Sequence, residues 1–285
     1  MSRTLLPLSL RVVVTAVATV VSISAAAGVA AADANATPDY EVKLDLLASA
    51  LDSSGAPSAA VRSAFGLAST ASSRSYEYFD TSARALKGQG WSVRLRHKSG
   101  KDLELNYKKR FDVSNGDVTS ALDAANRAGF DSSDTNYDAQ VDWGYSQQEL
   151  SFSNDKSASG SSYSGTSLPA VSTARSLLVS NIPGKLDDWT AKHWGTDRLT
   201  ESGAHGPVTT KVYSGSWQGT EPSIEVLTVP AASGSGTQTV IELSFTADTR
   251  SEASALRAKA ISVTDSNAWL YHGDILKTDL ILDRL

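Results

Sequence analysis

Between Trp91 and Arg110 the chain alternates charge and apolarity with a period of two. Arg94, Arg96 and Lys98 therefore share one face of a strand, opposite Val93, Leu95 and His97. A turn at Ser99-Gly100-Lys101 leads into a second strand that carries Glu104, Asn106 and Lys108 on one face. The same pattern appears upstream, where Glu41, Lys43 and Asp45 alternate with Tyr40, Val42, Leu44 and Leu46. A sheet charged on one face and apolar on the other has two solutions. Its charged face meets open water, or the sheet closes into a barrel with the charges around a wet lumen and the apolar face under helices.

The remaining periodicities supply both strands and helices. Strands are expected at Tyr40–Leu47, Ser75–Asp80, Trp91–Lys98, Leu103–Arg110, Ala139–Tyr145, Gln148–Ser153, Val208–Ser216, Ser223–Val229, Thr239–Ala247 and Lys277–Asp283. Helices are expected at Ala56–Ala68, Val118–Ala128, Leu168–Asn181 and Arg250–Ser262, with a short turn at Ser82–Lys87 and a short helix at Leu186–His193. In Tyr78-Phe79-Asp80-Thr81, the polar pair is placed to cap that turn and the two rings to be buried. Residues 154–167 are rich in Ser and Gly and read as a loop. The strands cluster in hairpins instead of alternating with helices. This predicts an α+β fold built on an antiparallel barrel of about eight or nine strands, flanked by helices.

Composition narrows the setting. Arg3 and Arg11, the apolar Val12–Ala27 stretch and the small residues that follow read as a secretory signal over 1–32, with a flexible leader at 33–39. Export is the expected localisation, with no stable membrane span once the signal is cleaved. The 285 residues include no cysteine, so neither a disulfide nor a lipid-modified cysteine is available. Without the signal, 24 basic residues face 31 acidic ones, a net charge of −7. That balance disfavours nucleic acid as a partner. There is no G-x-S-x-G, no P-loop and no zinc motif, and His193, His205 and His272 lie at no metal-ligand spacing.

The order of motifs resembles the CYTH family, the triphosphate tunnel metalloenzymes. Glu41-Val-Lys43-Leu-Asp45 is similar to that family's opening Glu-x-Glu-x-Lys strand, with Lys43 at the second Glu position and Asp45 at the Lys position. Tyr78–Thr81, Arg94-Leu-Arg96, Lys108 and the late acidic strand Ile241–Phe245 follow in the family's order, and the resemblance runs from Asp39 to Leu285. It implies a single tunnel domain over 40–285 in which the recurring charges line the lumen.

It also implies a phosphohydrolase acting on triphosphate, polyphosphate or a phosphorylated small molecule. The catalytic set would be Glu41, Lys43, Arg94, Arg96 and Lys108. Arg94 and Arg96 would fork onto phosphate oxygens, with Lys108, Lys211 and Lys43 as point charges on the same anion. Glu41, Glu225, Glu242 and Asp45 would hold Mg²⁺ or Mn²⁺ through carboxylate oxygens. Two alternatives share these parts. One is a non-catalytic extracellular binder of polyanions. The other is a lyase or cyclase that ionises a diphosphate, which needs an apolar chamber beside the cations.

Overall fold

The computed structural model describes residues 33–285; the expected signal over 1–32 lies outside the described residues. Residues 33–38 have no regular secondary structure but are fastened: Asn126 Nδ2 donates to the Asp33 carbonyl at 2.7 Å, and Ser132 N–H donates to the Ala34 carbonyl at 2.9 Å. Nine strands then form one closed barrel: β1 (Asp39–Asp45), β2 (Ser72–Asp80), β3 (Trp91–Lys98), β4 (Leu103–Asp112), β5 (Asp138–Trp143), β6 (Gln148–Ala158), β7 (Gly203–Ser214), β8 (Ser223–Pro230) and β9 (Thr237–Ala247). The order around the barrel is β1-β5-β6-β4-β3-β2-β7-β8-β9, and β9 pairs back onto β1. Every neighbouring pair is antiparallel except β1–β5, which is parallel, so the barrel is mixed.

Among the described residues there are eight α-helices, α1 (Ala59–Phe65), α2 (Ala85–Gly88), α3 (Val118–Arg127), α4 (Val171–Ser180), α5 (Gly184–Asp187), α6 (Trp194–Glu201), α7 (Arg250–Ser266) and α8 (Lys277–Arg284). Among those residues no helix is long and apolar enough to cross a membrane. The alternation seen in sequence sets which face is covered. Val42, Leu44, Val93, Leu95, Leu105 and Tyr107 are fully buried on the outer face. There α7 packs on β1 and β9, α3 on β4 and β6, α2 on β3 and α6 on β2. Each such side chain contributes about 1.5–3 kcal/mol on burial, which fixes the register because a one-residue slip would turn the charges into this layer.

Several sequence expectations are corrected. β6 runs to Ala158, so the Ser/Gly-rich stretch begins as strand, paired with β4 as far as Leu103. The short helix expected at Leu186–His193 is only α5, and α6 follows it as a separate helix. The largest change is at the C-terminus, where Lys277–Asp283 is not a tenth strand but lies within α8. Its buried residues, Ile281 and Leu282, pack against Tyr76, Tyr78, Val208, Leu227, Val229 and Val240 on the inner wall. A helix therefore fills one end of the lumen with apolar side chains.

The Tyr78–Thr81 segment caps as expected. Asp80, 2% exposed, accepts N–H bonds from Thr81 at 2.7 Å, Leu86 at 2.9 Å and Lys87 at 3.0 Å, and Thr81 Oγ1 accepts from Ala85 N–H at 3.0 Å. Asp80→Ala should lower unfolding stability by about 2 kcal/mol, since it strips several buried donors of their acceptor. Urea unfolding measures this directly, and an unchanged midpoint would remove the capping role.

Candidate functional site

Period two turns Glu41, Lys43, Asp45, Arg94, Arg96, Lys108, Glu225 and Glu242 into the lumen, where they line one cavity of 1140 Å³. Most of the charges are paired. Lys43 Nζ lies 3.0 Å from Glu41 and 2.9 Å from Asp142. Arg96 is bound to Glu104, and Arg110 Nε lies 2.7 Å from Glu149. Over the intervening β7, Arg74 Nε lies 3.2 Å from Glu225. Lys277, the first residue of α8, contacts Glu225 and also Glu242, the latter at 2.6 Å.

Two cations are left short of negative charge. Arg94 Nε is buried without a hydrogen-bond partner, and among the described residues no carboxylate forms an ion pair with this guanidinium. Its nearest neighbours include the Tyr76 ring, 5.8 Å away. Lys108 reaches Asp142 only at 3.9 Å, and Asp142 is already engaged by Lys43.

The titration shifts follow the same division. Burial and the nearby Lys43 and Arg110 charges draw the Lys108 ammonium below its usual range, against the pull of Asp142 and Glu41. For Asp142, burial works against the charge, but Lys108 and Lys43 outweigh it and hold the carboxyl far below the usual carboxylate range. Burial likewise opposes the charge on Glu225, yet Lys277 and Arg74 hold it down to about 2. Lys277 is held well above its usual value because Glu242 and Glu225 outweigh its burial. Asp45 runs the other way. Burial, with Glu242 and Asp274, pushes its carboxyl up to about 7, although the Ile275 N–H and Lys277 oppose the rise.

No family model and no curated protein sequence matches the chain. Solved structures do match. HpAC1 from Hippeastrum, an adenylyl cyclase by assignment whose structure is reported with a dominant triphosphatase activity, superposes with a TM-score of 0.50 at 14% identity, covering 86% of this chain and 96% of that one. This is the CYTH-like triphosphate-tunnel fold. PH1819 from Pyrococcus horikoshii matches at a TM-score of 0.42 and 13% identity over 86% of this chain and 99% of its own. An adenylate cyclase by assignment from Vibrio parahaemolyticus matches at 0.41 and 10% identity, over 86% and 99%.

Within the CYTH-like tunnel, one residue expected on the phosphate wall is elsewhere. Lys211 is exposed on the outer face of β7, because Val208, Thr210 and Val212 point inward. The expectation assumed that apolar side chains always face outward. Along β7 that rule reverses, since α8 presents Ile281 and Leu282 to the inner wall. His97 matches its packed reading: it is 1% exposed, with its ring nitrogens 2.8 Å from the Ser167 carbonyl and 3.0 Å from the Lys101 carbonyl.

Lumen residues missing from the predicted set are Arg74, Tyr78, Arg110, Glu149 and Lys277, whereas Asp142 had only its polarity to recommend it. Arg74 extends the period of Tyr76 and Tyr78, and Arg110 extends that of Lys108, so both had a signal in the alternation. Lys277 had none while its segment read as a strand.

Asp45 also yields a pH test. Its folded-state value of about 7 lies above the ordinary value of about 3.9. The unfolded chain therefore releases this proton first, and stability from this group falls as pH rises from about 4 to about 7. Asp45→Asn should flatten that limb relative to wild type and gain on the order of a few kcal/mol at pH 8. Paired chemical-denaturation series from pH 4 to 8 are the measurement; parallel profiles would contradict a buried, raised Asp45.

Proposed function

We propose that this chain is an exported CYTH-like phosphohydrolase that draws the phosphate chain of triphosphate, polyphosphate or a phosphorylated small molecule into its lumen. The observation that carries this reading is the Arg94 guanidinium, which has no carboxylate partner and lines the same cavity as Lys108, where every other strong cation has a carboxylate within ordinary ion-pair distance. A buried guanidinium without a counter-ion is costly unless an anion completes it. Its planar fork matches two oxygens of one phosphate, and Lys108 adds a point charge. The triphosphatase activity reported for HpAC1 agrees with this chemistry. Export is supported by Arg3, Arg11 and the apolar run behind them.

In the step we infer, the water oxygen bonds to the terminal phosphorus while the bridging P–O bond breaks; the water's proton passes to a phosphate oxygen, and orthophosphate and the shortened phosphate chain leave. Arg94, Lys108 and Arg96 keep the reacting phosphoryl group in place and neutralise charge on its oxygens. Glu41, Asp45, Glu225 and Glu242 form an all-oxygen donor set of the type Mg²⁺ and Mn²⁺ accept. As arranged, the set does not fit a metal: Lys43 holds Glu41, Lys277 holds Glu225 and Glu242, and Asp45 Oδ2 accepts the Ile275 N–H at 2.6 Å. The described residues that gather three ligand atoms within 4.8 Å are Asp187, Asp188 and His193, outside the lumen. No step is therefore assigned to a metal.

Those lysine pairs also favour a second reading, capture of polyanions without cleavage. The diphosphate-ionising alternative loses support because α8 fills the apolar end of the lumen. Tripolyphosphate binding and phosphate release, each measured with Mg²⁺, with Mn²⁺ and with EDTA, separate the readings. Release is expected for the hydrolase, and binding alone for the capture protein. Arg94→Ala should weaken tripolyphosphate binding by about 1–3 kcal/mol. Arg96→Ala should cost less, since Arg96 already has Glu104. Neither binding nor turnover of any phosphorylated compound would end the tunnel reading.

A further inference from the structure

Glu225 and Glu242 stand directly opposite each other on the antiparallel pair β8–β9, and Asp45 faces Glu242 across β1–β9. Three carboxylates in one row repel each other, and such a row ordinarily needs a cation. Here the cation belongs to the chain. Lys277 Nζ contacts both Glu225 and Glu242, and Arg74 contacts Glu225 from the far side. The two positive charges balance the two glutamates.

Lys277 is also firmly held. Ahead of it, Tyr271 N–H donates to the Asp45 carbonyl at 3.0 Å, and Ile275 N–H donates to the Asp45 carboxylate. Asp274 accepts from the Tyr145 N–H, from the Ser146 N–H at 2.9 Å and from the Ser146 hydroxyl at 2.6 Å. Gly144 permits that approach, because a Cβ there would lie 2.1 Å from Asp274 Oδ1. Behind Lys277, the Thr278 hydroxyl bonds to Tyr78 at 3.2 Å, and Ile281 and Leu282 are buried against the wall. Withdrawing the ammonium would break contacts on both sides of it.

We propose that Lys277 is a tethered cation that takes the place of a divalent metal at the Glu225–Glu242 pair, so that phosphate chains bind in this lumen without added metal. An ammonium has three N–H donors, and the carboxylates use two of them. The remaining one is available to a phosphate oxygen in the cavity that Lys277 lines. The phosphate half of this inference rests on the tunnel reading above, whereas the metal half stands apart from it.

The test is titration of Mn²⁺ alone into the full chain, followed by electron paramagnetic resonance, for wild type, Lys277→Met and Lys277→Arg. Lys277→Met should bind Mn²⁺ at least about tenfold more tightly than wild type, because Glu242 then has no cation and faces Glu225, which Arg74 alone compensates. Glu242→Gln added to that variant should abolish the gain, and Lys277→Arg should behave like wild type. Tripolyphosphate should bind wild type equally well in EDTA and in Mg²⁺. Tight Mn²⁺ binding by wild type that is lost in Glu242→Gln would overturn the inference, and so would a folded Lys277→Met with no gain. If Lys277→Met does not fold, the wild-type and Glu242→Gln titrations still decide. Failure of wild type to bind tripolyphosphate in either condition sinks the tunnel reading and leaves the Mn²⁺ result to judge Lys277 independently.

Discussion

Charge balance inside a closed barrel governs this structure. A wall that carries Lys43, Arg74, Arg94, Arg96, Lys108 and Arg110 together with Glu41, Asp142, Glu149, Glu225 and Glu242 is stable only when most of these groups neutralise one another. The pairs run between adjacent strands: Lys43 on β1 with Asp142 on β5, Arg96 on β3 with Glu104 on β4, Arg110 on β4 with Glu149 on β6. Each contact thus also pins a strand register, alongside the apolar layer on the outside. What this pairing leaves over is Arg94 and a loosely held Lys108.

The second organising feature is the helix inside the barrel. α8 divides the lumen into an apolar end, packed around Ile281 and Leu282, and a charged chamber. Its first residue lies at the boundary and joins the two, since Lys277 neutralises Glu225 and Glu242 while the rest of the helix is buried. The strap before it ties that boundary to β1 and to the turn between β5 and β6. The tunnel's cation inventory and its closure are therefore the same structural element.

This arrangement places the chain within a familiar fold but with its own electrostatics. Lys43, at the position where the family motif has a second glutamate, points into the lumen and bridges Glu41 and Asp142. Together with Lys277 it sets lysines against the acidic bank from both sides. What remains is a cationic lumen wall whose carboxylates are already satisfied by neighbouring lysines and arginines.

The sequence by itself determined the wall. Period two from Tyr40 to Arg110 assigned inner and outer faces correctly on β1, β3 and β4, because an apolar face must be covered and a charged one must stay wet. It also determined the cap at Asp80, whose bonds are local. Only the tertiary structure decided what fills the barrel. On β7, the inward Val208 and outward Lys211 reverse the expected faces because a helix from the far end of the chain packs inside. Lys277 meets Glu225 and Glu242 across 52 and 35 residues of sequence. No local period reports such a contact, since it depends on closure of the sheet and on the entry of α8 into the space that closure makes.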